Sequence, residues 1–256
     1  MLEHIYTIII FSYVFIIGAV IGSFLNVVIY RLPNEQSVIK PGSHCPNCKQ
    51  TLKWYQLIPI FSYMLQRAKC PNCKIKISVQ YPLIEALIGL LYILIYMIFG
   101  FTPLTLVYWI LVPCFVAITI IDIRHYIIPD EINLLICITG IISSIAGITL
   151  PITDAILGSI FGGGILWILA FASRGGMGGG DIKFAFAIGL FTGWKLMFLM
   201  LFIASLLGLL YAVLLSFAKG FKRRRQIPFG PFLVAGAMIV LVWGNTILDY
   251  YFSLFL

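Results

Sequence analysis

Charged residues are scarce in this chain of 256 residues. Lys, Arg, Asp and Glu together make up 10% of the sequence, and only 9 residues are acidic. Hydrophobic residues make up 61%, and the mean hydropathy is +1.06. This composition excludes a soluble globular domain of this length, and it predicts an all-α, polytopic helical membrane protein.

A cleavable secretory signal is also missing from the first apolar run, which has neither a basic leader nor a small-residue cleavage site. Residues 5–30 are therefore predicted to be a retained transmembrane helix. Seven further runs approach the ~20 residues that span a bilayer as a helix, giving about eight spans in all. These runs are residues 82–101, 104–121, 132–150, 154–173, 182–194, 196–217 and 229–256.

The sixth predicted span, residues 182–194, is short. At 1.5 Å per residue it covers roughly 20 Å, against a hydrocarbon core of roughly 30 Å. Either the helix continues past Lys195, or the glycine tract that precedes the span lies in a water-filled recess below the membrane surface.

Small residues repeat every fourth position in other spans and predict close helix packing. They are Gly18, Gly22 and Asn26 in the first span and Gly158 and Gly162 in the fifth.

The positive charges indicate which side of the membrane each loop occupies. If the loop 31–81 is cytoplasmic and eight spans alternate, every Lys and Arg except Lys195 lies inside, as the positive-inside rule favours. The net charge of +8 is therefore read as a topology signal. We expect the basic loops to meet the lipid bilayer, and we do not expect nucleic-acid binding.

The pentapeptide Cys-Pro-Asn-Cys-Lys occurs twice in the loop 31–81. Its cysteines are Cys45, Cys48, Cys70 and Cys73. Two Cys-x-x-Cys knuckles supply four thiolates, so the loop predicts a structural zinc site with no open coordination position. A cytoplasmic loop disfavours disulfides, and the βαβ context of a thioredoxin-like redox motif is absent. Cys114 and Cys137 lie in spans and are read as apolar packing residues.

A carboxylate next to hydrocarbon is costly, so acidic residues at membrane edges are candidates for function. Four acids are predicted at the inner edge: Glu85, Asp122, Asp130 and Asp181. Asp130 also fits a helix N-cap, and Glu85 also fits the first turn of a helix. Topology places these acids on one face of the membrane, but it does not show which of them meet.

The glycine tract 175–180 precedes Asp181. Glycines there would let an extended substrate backbone approach the carboxylate and would permit positive φ. A flexible connection explains the tract equally well. Lys183 either stabilises Asp181 or follows the charge rule, and the second explanation is preferred.

Several blocks of this sequence resemble prepilin (type IV leader) peptidases. The first block, residues 22–33, reads GSFLNVVIYRLP, and the paired Cys-x-x-Cys motifs follow it. The other blocks occur in the family's order: residues 81–85, Asp122 with residues 128–130, the Gly-x-Gly-Asp motif ending at Asp181, and residues 227–232. Together these blocks cover most of the chain.

The resemblance implies an integral membrane aspartic endopeptidase with Asp122 and Asp181 as its catalytic dyad. Such enzymes lie in the bacterial inner membrane and cleave leaders from prepilins or pseudopilins after a glycine at the cytoplasmic face. Many also methylate the new N-terminus with S-adenosylmethionine, and the cysteine loop is associated with that form. The implied domains are a first transmembrane helix (1–30), a zinc loop (31–81) and a membrane-embedded peptidase (82–256).

Two other classes of protein are weighed against this one. An ion-coupled transporter would use Asp122 and Asp181 as proton or cation ligands, but the sequence shows no inverted repeat. A membrane scaffold built around the zinc loop would leave both aspartates unexplained. No glycine-rich nucleotide fingerprint occurs in residues 31–81, so the sequence gives no position for an S-adenosylmethionine pocket.

Overall fold

The computed structural model describes residues 2–173, 176–219 and 226–254. Of the basic residues used to predict orientation, Arg174 and those at 222–225 lie outside the described residues. Helices dominate the described chain. They are α1 (Leu2–Arg31), α2 (Phe61–Leu65), α3 (Gln80–Phe99), α4 (Pro103–His125), α5 (Asp130–Ile145), α6 (Ile152–Ala172), α7 (Gly179–Lys219) and α8 (Gly230–Ser253), with 3-10 turns at Leu32–Asn34 and Trp54–Leu57.

Six helices of the described part are long and apolar enough to cross a membrane: α1, α3, α4, α6, α7 and α8. The prediction of about eight spans agrees approximately with this architecture. The difference lies in α5, which has only 16 residues, and in α7, which contains two predicted spans.

The 41-residue helix α7 is interrupted at Gly193, where φ is 64° and ψ is 175°. Side chains other than glycine rarely adopt this backbone conformation. The interruption coincides with the predicted boundary between the sixth and seventh spans. The segment before it, residues 179–192, is only about 21 Å long at 1.5 Å per residue, which confirms a short sixth span.

The chain divides into two compact units, Met1–Pro113 and Cys114–Leu256, and the boundary falls within α4. In the first unit α1 packs along α3. A Cβ on Gly18 would lie 2.8 Å from Gly89 Cα, and one on Gly22 would lie 2.8 Å from Glu85 Cα. Asn26 Nδ2 donates across the same interface to the Tyr81 carbonyl at 3.2 Å. The predicted small-residue interface of the first span is therefore confirmed.

In the second unit α7 is the central helix and packs against α5, α6 and α8. A Cβ on Gly158 would overlap the backbone of Gly189, and one on Gly162 would lie 2.6 Å from the Ala185 carbonyl oxygen. The predicted packing role of these two glycines is confirmed. Backbones this close fix α6 against the segment of α7 that follows Asp181.

Candidate active site and metal centre

Asp122 lies in the last turn of α4 and is only 5% exposed. Its Oδ2 accepts a hydrogen bond of 2.8 Å from the backbone N–H of Gly230, the first residue of α8. The first N–H groups of a helix have no partner inside the helix and carry partial positive charge. Asp122 therefore satisfies one of these donors and is itself held in place by α8.

Gly230 has no room for a side chain. A Cβ there would lie 2.7 Å from Asp122 Oδ2, closer than real Cβ atoms come to other heavy atoms. Sequence reasoning placed Gly230 only within a family block and gave it no role. The available signal was a glycine between Phe229 and Pro231, at a helix start.

Asp181 is the third residue of α7 and is half-buried. Its carboxylate turns back towards the preceding glycines, and Oδ2 lies 3.2 Å from where a Cβ on Gly178 would be. The carboxyl group of Asp181 interacts electrostatically with that of Asp122. The two predicted acids, 59 positions apart in the sequence, are therefore near enough in the fold to interact electrostatically.

Within the described part of the glycine tract, Gly180 is closely packed, whereas a Cβ on Gly179 would meet nothing within 4 Å. A Cβ on Gly180 would lie 2.9 Å from Ile128 Cβ, in the connection between α4 and α5. None of the tract's described glycines has positive φ, so that part of the expectation is wrong for them. Gly175 lies outside the described residues.

The other two inner-edge acids are placed elsewhere. Asp130 forms an exposed salt bridge with Lys183, with Oδ2 2.6 Å from Nζ, so Lys183 pairs with Asp130. The N-cap of α5 is Pro129, so the expectation that Asp130 caps this helix is wrong by one residue. Glu85 lies in the second turn of α3, since the helix begins at Gln80. The expectation of a first-turn position is therefore also wrong.

The two Cys-Pro-Asn-Cys-Lys repeats fold identically in the first unit. In each repeat the N–H of the lysine donates to the carbonyl of the first cysteine at 3.0 Å. Lys49 and Lys74 both have positive φ, at 57° and 58°. Each repeat therefore closes into a tight turn that presents both of its thiols on one side.

The four predicted ligands form one cluster. The Sγ atoms of Cys45, Cys48, Cys70 and Cys73 all lie within 4.8 Å of one another. The distance is 3.8 Å between Cys45 and Cys73 and 4.0 Å between Cys48 and Cys70. Four sulfurs at 2.3 Å from a tetrahedral zinc are about 3.8 Å apart. The residues present therefore fit a thiophilic metal such as zinc.

Hydrogen bonds in the knuckles lower the pKa of two of the thiols and so favour the thiolate form that metals require. At Cys45 the N–H of Cys48 lowers the pKa, but burial and the neighbouring thiols outweigh it and raise the pKa overall. The N–H of Ile75 and the side-chain amide of Asn47 donate to Cys73 and lower its pKa to about 6. The N–H of Gln50 and the amide of Asn72 likewise lower the pKa of Cys48. The asparagine of each repeat thus donates a hydrogen bond to a cysteine of the other repeat. Sequence reasoning did not assign these asparagines a role, although they recur in both pentapeptides.

Comparison with known proteins finds two family models that together cover most of the chain. The Bacterial Peptidase A24 N-terminal domain matches residues 16–99, and the Type IV leader peptidase family matches residues 109–213. No solved structure is a significant match.

Curated relatives match over nearly the whole chain. A protein named prepilin leader peptidase/N-methyltransferase from Neisseria gonorrhoeae is 34% identical, covering 91% of this chain and 90% of the relative. A protein of the same name from Xanthomonas campestris pv. campestris is 34% identical, with 92% of each chain covered. One from Pseudomonas aeruginosa is 30% identical, with 92% and 91% covered.

Proposed function

This chain belongs to the type IV leader peptidase family, and we propose that it cleaves prepilin or pseudopilin leaders with Asp122 and Asp181 as its catalytic carboxylates. The observation that supports this proposal is the electrostatic interaction of two carboxyl groups at the ends of membrane helices, one of which also accepts a hydrogen bond from the N-terminus of a third helix. The named activity of the relatives supports the same reaction.

Two neighbouring carboxylates avoid holding two negative charges by sharing one proton. The ionised aspartate takes a proton from a water molecule, and the water oxygen attacks the scissile carbonyl carbon. The protonated aspartate donates its proton to the carbonyl oxygen. When the tetrahedral intermediate collapses, the C–N bond breaks and the leaving nitrogen takes a proton from the pair. Because the two carboxyl groups titrate as a unit, the roles of base and acid are assigned to the pair and not to either aspartate alone.

The N-terminus of helix α8 orients one of the two carboxyl groups for this reaction. Its first N–H holds Asp122 Oδ2 in one orientation, which is the kind of support that a general acid or base needs for fast proton transfer. The buried environment of Asp122 also excludes bulk water from one side of the pair. Asp181 is less buried, and we place the substrate's peptide bond on its side.

The active site is proposed to face the cytoplasm, with the chain in a bacterial inner membrane as a multi-pass protein. The positive-inside distribution of Lys and Arg supports this orientation. A prepilin carries a basic leader followed by an apolar helix, so its cleavage point would lie at the inner edge of the bilayer. The short first segment of α7 supports a water-filled recess there, since it is about 9 Å shorter than the hydrocarbon core.

The second proposed reaction is methylation of the amine that cleavage exposes, as the relatives' names indicate. S-adenosylmethionine supplies an electrophilic methyl group on a sulfonium centre. The chain's part is to hold the neutral amine against that methyl group and to accept the proton that the amine loses. We assign this reaction to the region of the cysteine loop, residues 31–81, and peptide cleavage to residues 82–256.

Zinc in the cysteine cluster would have a structural role. Four thiolates close a tetrahedral coordination shell and leave no position for water or substrate. The site would fix the two knuckles against each other and so shape the loop. No step of either reaction is assigned to the metal.

Incubation of the purified enzyme in lipid nanodiscs with a purified prepilin tests both reactions. We expect a product that begins immediately after a glycine, and with S-adenosylmethionine the same product should carry one added methyl group. Mass spectrometry of the intact product and sequencing of its N-terminus measure both events. An uncleaved prepilin would contradict the proposed peptidase, and cleavage without methyl addition would contradict only the second reaction.

Replacement of Gly230 tests the contact between α8 and Asp122. In Gly230→Ala the added Cβ must displace the Asp122 carboxylate or the start of α8, since 2.7 Å separates it from Oδ2. A displacement of this kind is expected to lower the cleavage rate about 10²-fold. Gly164→Ala is the matched control, because a Cβ there meets nothing within 4 Å. Equal rates for the two variants would exclude a role for the contact.

A further inference from the structure

The first unit contains a cavity of about 680 Å³. Its walls come from the C-terminal end of α1, the cysteine loop and the N-terminal end of α3. Pockets for cofactors and other small molecules are usually about 300–1,000 Å³. The cavity therefore has room for a ligand of nucleoside size, and the proposed peptidase reaction makes no use of it.

Arg31 lines this cavity and is only 6% exposed. Its guanidinium donates to the carbonyls of Ser37 at 2.9 Å and Gly42 at 3.2 Å. Across the described residues, no carboxylate lies within ion-pair distance of Arg31. The C-terminus of α1 favours a cation at this place, but a buried charge without a counter-ion is still costly.

Glu85 lines the same cavity and is also 6% exposed. Its Oε2 accepts a hydrogen bond of 2.7 Å from the N–H of Ile60, in the loop. It too has no cationic partner in the part of the chain that the structure describes. One cavity is thus lined by a buried positive charge and a buried negative charge, and the two do not pair with each other.

Asn26 adds an unsatisfied acceptor to the wall of the cavity. It is 2% exposed, and its Nδ2 donates hydrogen bonds to the carbonyls of Gly22 and Tyr81. Its Oδ1 is buried and has no hydrogen-bond partner. Buried acceptors of this kind are rare in folded proteins, and a bound ligand that donates a hydrogen bond would explain this one.

We propose that this cavity is the binding pocket for the methyl donor, S-adenosylmethionine. This inference rests on the proposed methyl transfer. The amino-acid end of the ligand carries a carboxylate beside an ammonium and a sulfonium group. Arg31 binds the carboxylate, and Glu85 faces the cationic groups. Tyr30, Tyr63 and Tyr81 also line the cavity and supply aromatic surface for the adenine.

The chemistry of this ligand accounts for both unpaired charges at once. A purely anionic ligand such as a free phosphate would leave Glu85 without a partner and add repulsion. A purely cationic ligand would do the same for Arg31. A ligand with both charges at one end and an aromatic base at the other satisfies the two residues together.

Binding of radiolabelled S-adenosylmethionine to the full-length protein in nanodiscs tests the pocket. Glu85→Gln keeps an acceptor for the Ile60 N–H but removes the charge, and Arg31→Gln removes the opposite charge. Each variant is expected to raise the Kd about tenfold or more, as for the loss of a charge-assisted contact. Glu35→Gln is the matched control, since Glu35 is exposed in the same unit and does not line the cavity. The variants are compared at equal zinc content.

A wild-type measurement covers the case in which a variant does not fold. An azido-adenosyl analogue of the donor is photo-crosslinked to the unmodified protein, and the labelled peptide is identified by mass spectrometry. Label in residues 23–85 supports the pocket. Label in residues 114–256, or wild-type affinity in both variants, overturns it while leaving methyl transfer intact. If the wild-type protein binds no donor at all, the methyl transfer itself fails along with this inference.

Discussion

Asp122→Asn and Asp181→Asn are each expected to lower the rate of prepilin cleavage by about 10²- to 10⁴-fold. Asparagine has the shape of aspartate, but its amide can act neither as the base that takes a proton from water nor as the acid that protonates the carbonyl oxygen. In Asp122→Asn the amide oxygen can still accept the Gly230 N–H, which keeps the start of α8 in place. Initial rates with purified prepilin, at equal enzyme concentration, measure the effect.

Asp130→Asn is the matched control for these two variants. Asp130 is an acid predicted at the same membrane edge, but its partner is Lys183 and its side chain is 67% exposed. Exposed pairs of this kind contribute little, so we expect a cleavage rate within about threefold of wild type. Wild-type rates in Asp122→Asn or Asp181→Asn would contradict the dyad, and so would an equal loss in Asp130→Asn.

Cys45→Ser and Cys70→Ser are each expected to abolish zinc binding. Each change removes one of four thiolates from a cluster whose Sγ atoms lie within 4.8 Å of one another, and serine is a poor ligand for zinc. Structural zinc contributes free energy directly to folding, about 10–16 kcal/mol in zinc-finger peptides. We therefore expect the loop 31–81 to become sensitive to protease in both variants.

The zinc content is measured by inductively coupled plasma mass spectrometry on purified protein, where the wild type should carry close to one zinc per chain. Cys137→Ser is the control, since Cys137 lies in α5 and is not a member of the cluster. Full zinc occupancy in both Cys45→Ser and Cys70→Ser would show that the zinc is held elsewhere.

The features that the sequence predicted well are local or periodic. Apolar runs of bilayer length identify helices, and small residues at four-residue spacing identify the interface of α1 with α3. The cysteine cluster was also predictable. Two identical pentapeptides fold into equivalent turns, and the cluster forms once the loop places these two turns side by side. In each case a short stretch of sequence contains most of the physical cause.

Contacts between distant parts of the chain were not predictable in the same way. Asp122 and Gly230 are 108 residues apart and meet only because of how α4 and α8 pack. The burial of Arg31 and Glu85 around one cavity likewise depends on the path of the whole loop 31–81. Composition therefore left four acids as candidates. In the folded chain Asp122 and Asp181 interact electrostatically, Asp130 forms an exposed salt bridge, and Glu85 lines a cavity.

The double variant Asp122→Asn/Asp181→Asn tests most directly whether the two aspartates act as one catalytic pair. Residues that act as a unit lose their function together, so removing the second adds little to removing the first. Single-turnover cleavage of a prepilin, with enzyme in excess, is predicted to be equally slow in the double variant and in each single variant. A double variant slower by the product of the two single effects would contradict the account, as would a single variant that cleaves at the wild-type rate.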